Sequence, residues 1–347
     1  MRLLLYSFSL IYNTITTIRN WLFDYNIFPS SSYHIPIICI GNLSIGGSGK
    51  TPHTNYIIDL LKKKYRVAVL SRGYGRITKG FKYIQHTDKA KHVGDESLLY
   101  KQKHHNNIIV AVEKDRNKGV QKIMNDFPEI DVILLDDGLQ HRWINPGFKI
   151  VITPYHKPYF NDYLFPFGSL RENKSGANRS DIIIVSKCPE NMNPTEKKGM
   201  KSELHLFENQ SAFFSSIKYS NLRCMTSSEF LVDFEDYSIT LVTGIADPLL
   251  IIDYFKNKEQ EVRHLNFADH HKYTLSDIQK ILNEYNKDKS IKKLILTTEK
   301  DAVKLMEFEN HFGDVNMYIL PINIAFERQE EFEKQILNYV ENNKRNS

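Results

Sequence analysis

The sequence predicts an α/β fold: a mostly parallel sheet with helices on both faces, a smaller second α/β domain after it, and an amphipathic helix in front. Three observations predict it. Short, nearly all-apolar runs at 35–40, 66–70, 107–112, 131–135, 148–153 and 181–185 alternate with helical stretches. Strands that are apolar at every position, instead of at alternate ones, are strands covered on both faces of a parallel sheet. The first of these runs ends in Gly41-Asn42-Leu43-Ser44-Ile45-Gly46-Gly47-Ser48-Gly49-Lys50-Thr51, a glycine-rich loop that opens a helix. The fourth ends in the acidic pair Asp136-Asp137.

The glycine-rich loop gives the fold its kind. Backbone N–H groups of such a loop and of the helix that follows point at anionic oxygens. Lys50 can then reach the β- and γ-phosphates of a nucleotide, and the Thr51 hydroxyl can ligate Mg²⁺. Residues 44–51 are therefore the expected nucleotide-binding set: Ser44, Ile45, Gly46, Gly47, Ser48, Gly49, Lys50 and Thr51. The strict P-loop pattern has a glycine where Ser44 stands, so the match is to a P-loop NTPase-like fold with one departure. An acid at the carboxyl tip of a neighbouring buried strand holds the metal in such proteins. Asp137, next to Asp136, is placed to do so.

The rest of the chain follows in order. Residues 3–18 carry no charge, and Leu4, Phe8, Ile11, Ile15, Ile18 and Leu22 recur at steps of three and four, one apolar stripe on a helix. The run is too short and too rich in Ser, Thr and Asn for a spanning helix, which needs about 20 apolar residues. It reads as a membrane-interface helix within 1–28, with Arg2, Arg19 and Trp21 as headgroup anchors. The other reading is a stripe packed on the protein's own core. Residues 29–222 form the expected nucleotide-binding domain. It includes Ser71-Arg72-Gly73-Tyr74-Gly75-Arg76, a loop of two arginines among glycines, and Gly94-Asp95-Glu96, with acids in a first helical turn. Residues 223–347 form the smaller domain, with strands at 239–243, 262–267, 293–297 and 315–320, a last helix at 330–341, and the loop Asp269-His270-His271.

Composition narrows the function. The net charge of +5, from 46 basic and 41 acidic residues, suits an anionic substrate or an acidic membrane face. No basic-aromatic pattern points to nucleic acid, and nothing in the sequence names a protein partner. Three cysteines without metal spacing fit a reducing compartment.

Several blocks together resemble one family. The loop Gly41-Asn42-Leu43…Gly46-Gly47-Ser48-Gly49-Lys50-Thr51-Pro52 is similar to the phosphate loop of tetraacyldisaccharide 4'-kinases. The likeness continues through Ser71-Arg72-Gly73-Tyr74-Gly75-Arg76, Val93-Gly94-Asp95-Glu96, Asp136-Asp137-Gly138-Leu139-Gln140-His141 and Leu170-Arg171-Glu172. It ends with Phe267-Ala268-Asp269-His270-His271 and Thr298-Glu299-Lys300-Asp301-Ala302, all in the family's order. The family's loop accepts a hydroxyl residue where Ser44 stands. The resemblance implies phosphorylation of the 4'-hydroxyl of a tetraacyl disaccharide 1-phosphate by Mg²⁺-ATP, giving lipid IVA for lipid A. It implies Asp95 and His270 as a base dyad, Thr51 and Asp137 at the metal with Glu172 as a further contributor, and Arg72 and Arg171 at phosphate. A substrate with four acyl chains and a cytoplasmic ATP supply imply the cytoplasmic face of the inner membrane, with the protein peripheral or monotopic. Two other classes stay open on residues alone: a P-loop kinase of a soluble sugar, and a non-kinase nucleotide switch. For the latter, Val185-Ser186-Lys187-Cys188-Pro189 lacks the Asn and the second acid of a guanine-reading turn.

Overall fold

The structure, a computed structural model, describes residues 2–227 and 229–344. The side chains of Arg2 and Leu3 lie outside the described residues, and with them one of the expected anchors.

The strands of the first half are β1 (Ile37–Gly41), β2 (Val67–Ser71), β3 (Lys82–Tyr83), β4 (Ile108–Val112), β5 (Val132–Asp136), β6 (Phe148–Pro154), β7 (Ile182–Ser186) and β8 (Ser211–Tyr219). Those of the second half are β9 (Leu222–Cys224), β10 (Phe230–Leu231), β11 (Ser238–Thr243), β12 (Val262–Asn266), β13 (Lys293–Thr298), β14 (Met317–Leu320) and β15 (Ile322–Phe326). Nine of them make one sheet in the order β15-β8-β7-β6-β1-β5-β2-β4-β3, parallel except at its two edges.

Successive side chains of a strand point to opposite faces, and both faces here are covered. Ile38, Ile40, Val69, Leu134 and Ile184 pack into one core, while Ile37, Cys39, Leu70, Leu135 and Val185 pack into another. That double burial is why these strands are apolar at every position. The second sheet, β10-β9-β14-β13-β11-β12, is parallel across β12, β11, β13 and β14 and has its own two cores.

The chain then returns. β15 pairs antiparallel with β8 in the first sheet, and the helix Gln329–Asn342 buries Phe332, Ile336 and Val340 in the same core as Ile57 and Ile58 of the first half. The Tyr339 hydroxyl accepts from the Ile37 amide at 3.2 Å and donates to the Ile37 carbonyl at 3.1 Å, gripping the base of β1. The block 223–347 is thus not continuous on the second sheet: residues from 322 on belong to the first. Strand β15 is also absent from the strands expected above. Only Pro321 separates it from β14, so the two apolar runs merge in the sequence.

Helix α1 (Arg2–Asp24) forms where its periodicity places it, but with its polar side inward. Ser9 and Thr16 are buried, the Ser9 hydroxyl donates to the Leu164 carbonyl at 2.8 Å, and Tyr12 donates to the Arg171 carbonyl at 2.8 Å. Leu4, Phe8, Ile11, Ile15 and Ile18 are each more than half exposed. The stripe does not pack on the protein's core. Only the C-terminal end does so, where Phe23 meets Phe28 and Trp143. Among the described residues, no helix is long and apolar enough to cross a membrane.

Candidate functional site

A cleft of about 1260 Å³ runs along the carboxyl ends of the first sheet's strands and is closed on one side by loops of the second. Ligands of open parallel sheets gather at this edge. Its floor is the loop from β1 to helix α2 (Lys50–Leu61). Gly46 (φ 110°) and Gly49 (φ 86°) take backbone conformations that side chains strain, which lets the loop turn its amides inward. Ser44 is in an isolated bridge with Leu170, beside Ile45 N–H donating to the Ser169 carbonyl at 2.7 Å. The position a strict P-loop gives to glycine is here stapled to a neighbouring segment, so Ser44 is buried and its seven successors line the cleft. His53, from α2, holds the loop from below: its ring contacts the Gly49 carbonyl at 2.7 Å and the Ser215 hydroxyl at 2.8 Å. Burial keeps that ring neutral, with its pKa lowered to about 4.

Lys50 and Thr51 stand at the mouth of α2. Lys50 Nζ donates to Asn42 Oδ1 at 3.0 Å and lies 3.6 Å from Asp137. Thr51 donates to Glu96 Oε1 at 3.2 Å. Facing them, Asp136 is fully buried at the tip of β5, and its Oδ1 has no hydrogen-bond partner. Burial, with Glu96 and Asp137 nearby, raises its pKa to about 7. Asp137, at positive φ, receives Arg171 Nη1 on both oxygens, at 2.9 and 2.8 Å. Burial alone would raise its pKa, but Lys50 and Arg171 outweigh burial and lower it.

Hard oxygen donors with an orphaned carboxylate oxygen fit Mg²⁺, which is bound through one or two carboxylates plus substrate phosphates. Among the described residues no three His, Cys, Asp or Glu side chains form a ready-made metal cluster. Thr51, Asp136 and Asp137 are the residues that fit. Glu172 does not join them. It is fully buried outside the cleft, and its carboxylate accepts from Arg179 at 2.7 Å, Asn20 at 2.8 Å and Gln140 at 3.1 Å. A carboxylate spent on three donors is an anchor between α1 and the loop after β5, and not the further metal contributor that the family resemblance implied.

The remaining parts meet across the two sheets. Asp95 opens the helix Asp95–His104 behind Gly94, where a side chain would press to 3.1 Å of Gly73 and Tyr74 backbone. His270 reaches it from the loop after β12, with Nδ1 3.0 Å from Asp95 Oδ2. Burial would raise the Asp95 carboxyl, yet the His270 hydrogen bond and Lys300 outweigh it and hold the pKa at about 2. Asp95 in turn raises the His270 pKa above its ordinary value, against burial and Lys300. Sequence reasoning gave no role to Glu96, Lys300 or Arg116. Arg116 is almost wholly buried and donates to the Glu113 carbonyl at 2.6 Å behind the acidic pair. The one signal for Lys300 was the Thr-Glu-Lys-Asp block itself.

A P-loop floor opposed by strand-tip carboxylates calls for a nucleotide, and an imidazole–carboxylate pair at its edge calls for an acceptor that loses a proton. The class is a nucleotide-dependent phosphotransferase. Similarity to known proteins agrees. The sequence profile of the tetraacyldisaccharide-1-P 4'-kinases (LpxK) matches residues 1–341. A tetraacyldisaccharide 4'-kinase of Bacteroides thetaiotaomicron is 40% identical, covering 99% of this chain and 94% of its own length. Another, of Flavobacterium johnsoniae, is 38% identical over 99% of this chain and 98% of its own. The crystal structure of LpxK from Aquifex aeolicus in complex with ATP is similar with a TM-score of 0.75 at 27% identity, over 98% of this chain and 99% of that one. The chain belongs to the tetraacyldisaccharide-1-phosphate 4'-kinase family.

Proposed function

We propose that the chain uses ATP to phosphorylate the 4'-hydroxyl of a tetraacyl disaccharide 1-phosphate, yielding lipid IVA in lipid A biosynthesis. The observation that carries this reading beyond nucleotide binding is the 3.0 Å contact between His270 Nδ1 and Asp95 Oδ2 at the edge of the P-loop cleft. A hydroxyl acceptor must give up a proton during transfer, and a nucleotide switch has no use for such a pair.

In the mechanism, residues 45–51 cradle the triphosphate and Lys50 offsets its charge. Bound Mg²⁺, held by Thr51, Asp136 and Asp137, would supply charge neutralisation at the transferring phosphoryl group. Asp95 accepts the Nδ1–H of His270, which leaves the ring's lone pair at Nε2. The acceptor's proton passes to Nε2, and the Asp95 carboxylate stabilises the imidazolium that forms. Arg171 and Arg72 line the same cleft and suit the phosphates of the two substrates.

The outward apolar face of α1 supports a membrane surface as the place of work, at the inner membrane's cytoplasmic face where ATP is available. Tyr12 and Arg19 of that helix also line the cleft, so the lipid-facing helix and the phosphate site share one cavity. We divide the chain into the helix 1–28, a nucleotide-binding unit from 29, and an α/β unit from 223 that supplies His270 and returns its last strand. The deciding assay is transfer of label from γ-labelled ATP to the tetraacyl disaccharide monophosphate. Label should appear on the lipid and not on a deacylated disaccharide; transfer to the deacylated sugar alone would overturn the reading.

A further inference from the structure

Lys300 lies two residues past the end of β13, in the first turn of the short helix Glu299–Leu305. Its backbone is fixed. Thr298 caps the turn by accepting from the Asp301 amide at 3.1 Å, and buried Asp301 accepts from the Gly244 amide at 2.8 Å. The preceding Glu299 reaches across to Lys103 of the helix Asp95–His104 at 2.8 Å, which sets the spacing between the two helices. From this mount the Lys300 ammonium enters the gap between the sheets. Four groups face it there: Asp95 at 4.0 Å, Glu96 at 3.5 Å, Asp269 at 3.5 Å and His270 Nε2 at 3.1 Å.

The shortest of these contacts is not to a carboxylate. A lysine that only balanced acids would close on one of three oxygens at normal hydrogen-bond distance. This one reaches Glu96 only in a long hydrogen bond of 3.5 Å, stands no nearer to the other two acids, and comes closest to a ring nitrogen. An ammonium is donor only, so the nitrogen it meets must carry the lone pair. A carboxylate is acceptor only, so Nδ1 carries the proton toward Asp95. The two partners together select one neutral tautomer. Glu96, Asp95 and Asp269 keep Lys300 charged despite its burial.

We infer that Lys300 is a positioning residue for phosphoryl transfer: by donating to Nε2 it holds His270 as the Nδ1–H tautomer and keeps the Nε2 lone pair in place until the acceptor hydroxyl takes over that bond. The inference rests on the Asp95–His270 pair being the base. It balances without any added reagent, since the hydroxyl replaces one N–H donor at Nε2 by an O–H donor, and the lysine keeps its three protons beside Glu96 and Asp269.

The test uses the full chain labelled with ¹⁵N-histidine, at a pH above the His270 titration, with two-bond ¹H–¹⁵N correlation of the His270 ring and steady-state kinetics. In wild type the ring should show the Nδ1–H pattern. Lys300→Met should move it toward a mixture, lower kcat about 10- to 100-fold and leave KM for ATP within about threefold. Lys300→Arg should recover part of both. The double variant Lys300→Met/His270→Ala should be no slower than His270→Ala, since a residue acting only through another adds nothing once that one is gone. An unchanged tautomer in Lys300→Met, or losses that multiply in the double variant, overturns the inference. If Lys300→Met does not fold, Lys300→Ala is read by the same measurements. Should His270→Ala itself keep wild-type kcat, the base reading fails instead, so the two failures are distinct.

Discussion

Asp95 and His270 are separated by 175 positions in the chain and by 3.0 Å in the fold, one at the start of a helix of the first sheet, the other on a loop of the second. The pair exists only when the two units are docked. Chemistry and docking are therefore one condition here, while residues 45–51 lie wholly within the first unit.

That separation is testable by substitution. Asp95→Asn and His270→Ala should each lower kcat by roughly 10²–10⁴-fold while ATP affinity changes little. Rapid-mix phosphotransfer and equilibrium titration with a fluorescent ATP analogue measure the two quantities. Parallel losses in affinity and kcat would mean the pair builds the nucleotide site and not the base.

The pH profile carries the same assignment. A base must be neutral, and Asp95 holds the His270 pKa above the ordinary 6.5. The groups facing the ring include Asp95, Lys300 and the Tyr74 phenol ring at 5.0 Å, with Asp269 on its own loop and Glu96 behind Lys300. The acid limb of kcat/KM should therefore titrate above the ordinary histidine value, with activity rising as pH rises. Asp95→Asn removes the partner and should shift the limb to lower pH. A limb that stays put in this variant contradicts the pairing.

The metal side should exchange a proton. Burial raises the Asp136 carboxyl to about 7, and it must be ionised to hold a cation. Binding of Mg²⁺-ATP at pH 6 to 7 should release a proton, and the release should fade toward pH 8.5. Calorimetry in two buffers of different ionisation enthalpy reads it directly. Asp137→Ala should weaken the Mg²⁺-dependent part of ATP affinity, and removal of Mg²⁺ by chelator should abolish turnover.

Stability should fall in acid for a reason located under the loop. His53 has a folded pKa near 4 against 6.5 when free, so the unfolded chain binds its proton first. The contribution is whole above 6.5 and is lost as pH falls toward 4, at up to about 1.4 kcal/mol per pH unit. Buried His104, also lowered to about 4, adds in the same direction. Urea denaturation at pH 7.5 and 5.0 should show the loss, and His53→Gln should flatten it. An equal slope in the variant assigns the acid sensitivity elsewhere.

The apolar face of α1 can be changed without touching the fold. Ile11 and Ile15 are 58% and 61% exposed. The pair Ile11→Glu and Ile15→Glu should weaken vesicle binding about tenfold or more and leave the melting temperature within a few degrees. Turnover on lipid in vesicles should drop with binding, whereas turnover on detergent-dispersed lipid should drop less. Unchanged vesicle binding would remove this face from the membrane surface.

Much of this site was legible in the residues because the fold is locally consistent. A strand buried on both faces shows as an uninterrupted apolar run, so β1, β2, β5 and β7 could be read directly, and the site falls at their carboxyl ends. Asp115 caps the helix Arg116–Asp126, its side chain accepting from the Asn117 and Lys118 amides. What could not be read was direction and partnership. The period of α1 fixes that it has an apolar stripe, but not which way the stripe faces; the buried Ser9 and Thr16 decide that. Glu172 sits beside Arg171 in sequence, yet the two side chains part, one to Asp137 and one to Arg179. The meeting of His270 and Asp95 was implied by resemblance alone, because no local pattern encodes a contact between two sheets.

The grip of Tyr339 on Ile37 has a consequence for how the protein is made. Strand β1 leads into the phosphate loop early in synthesis, but its base is clamped and its sheet edge covered only by residues 322–342. On a ribosome the first sheet waits with β8 unpaired along one edge while the whole inserted unit emerges. A nonsense mutation just after Leu320 would leave residues 45–51, Asp95 and His270 in the product and still yield a sheet with an open edge, prone to pair with its neighbours. Residues 322–342 therefore complete the first sheet, and the edge they cover is left open in any product that stops before them.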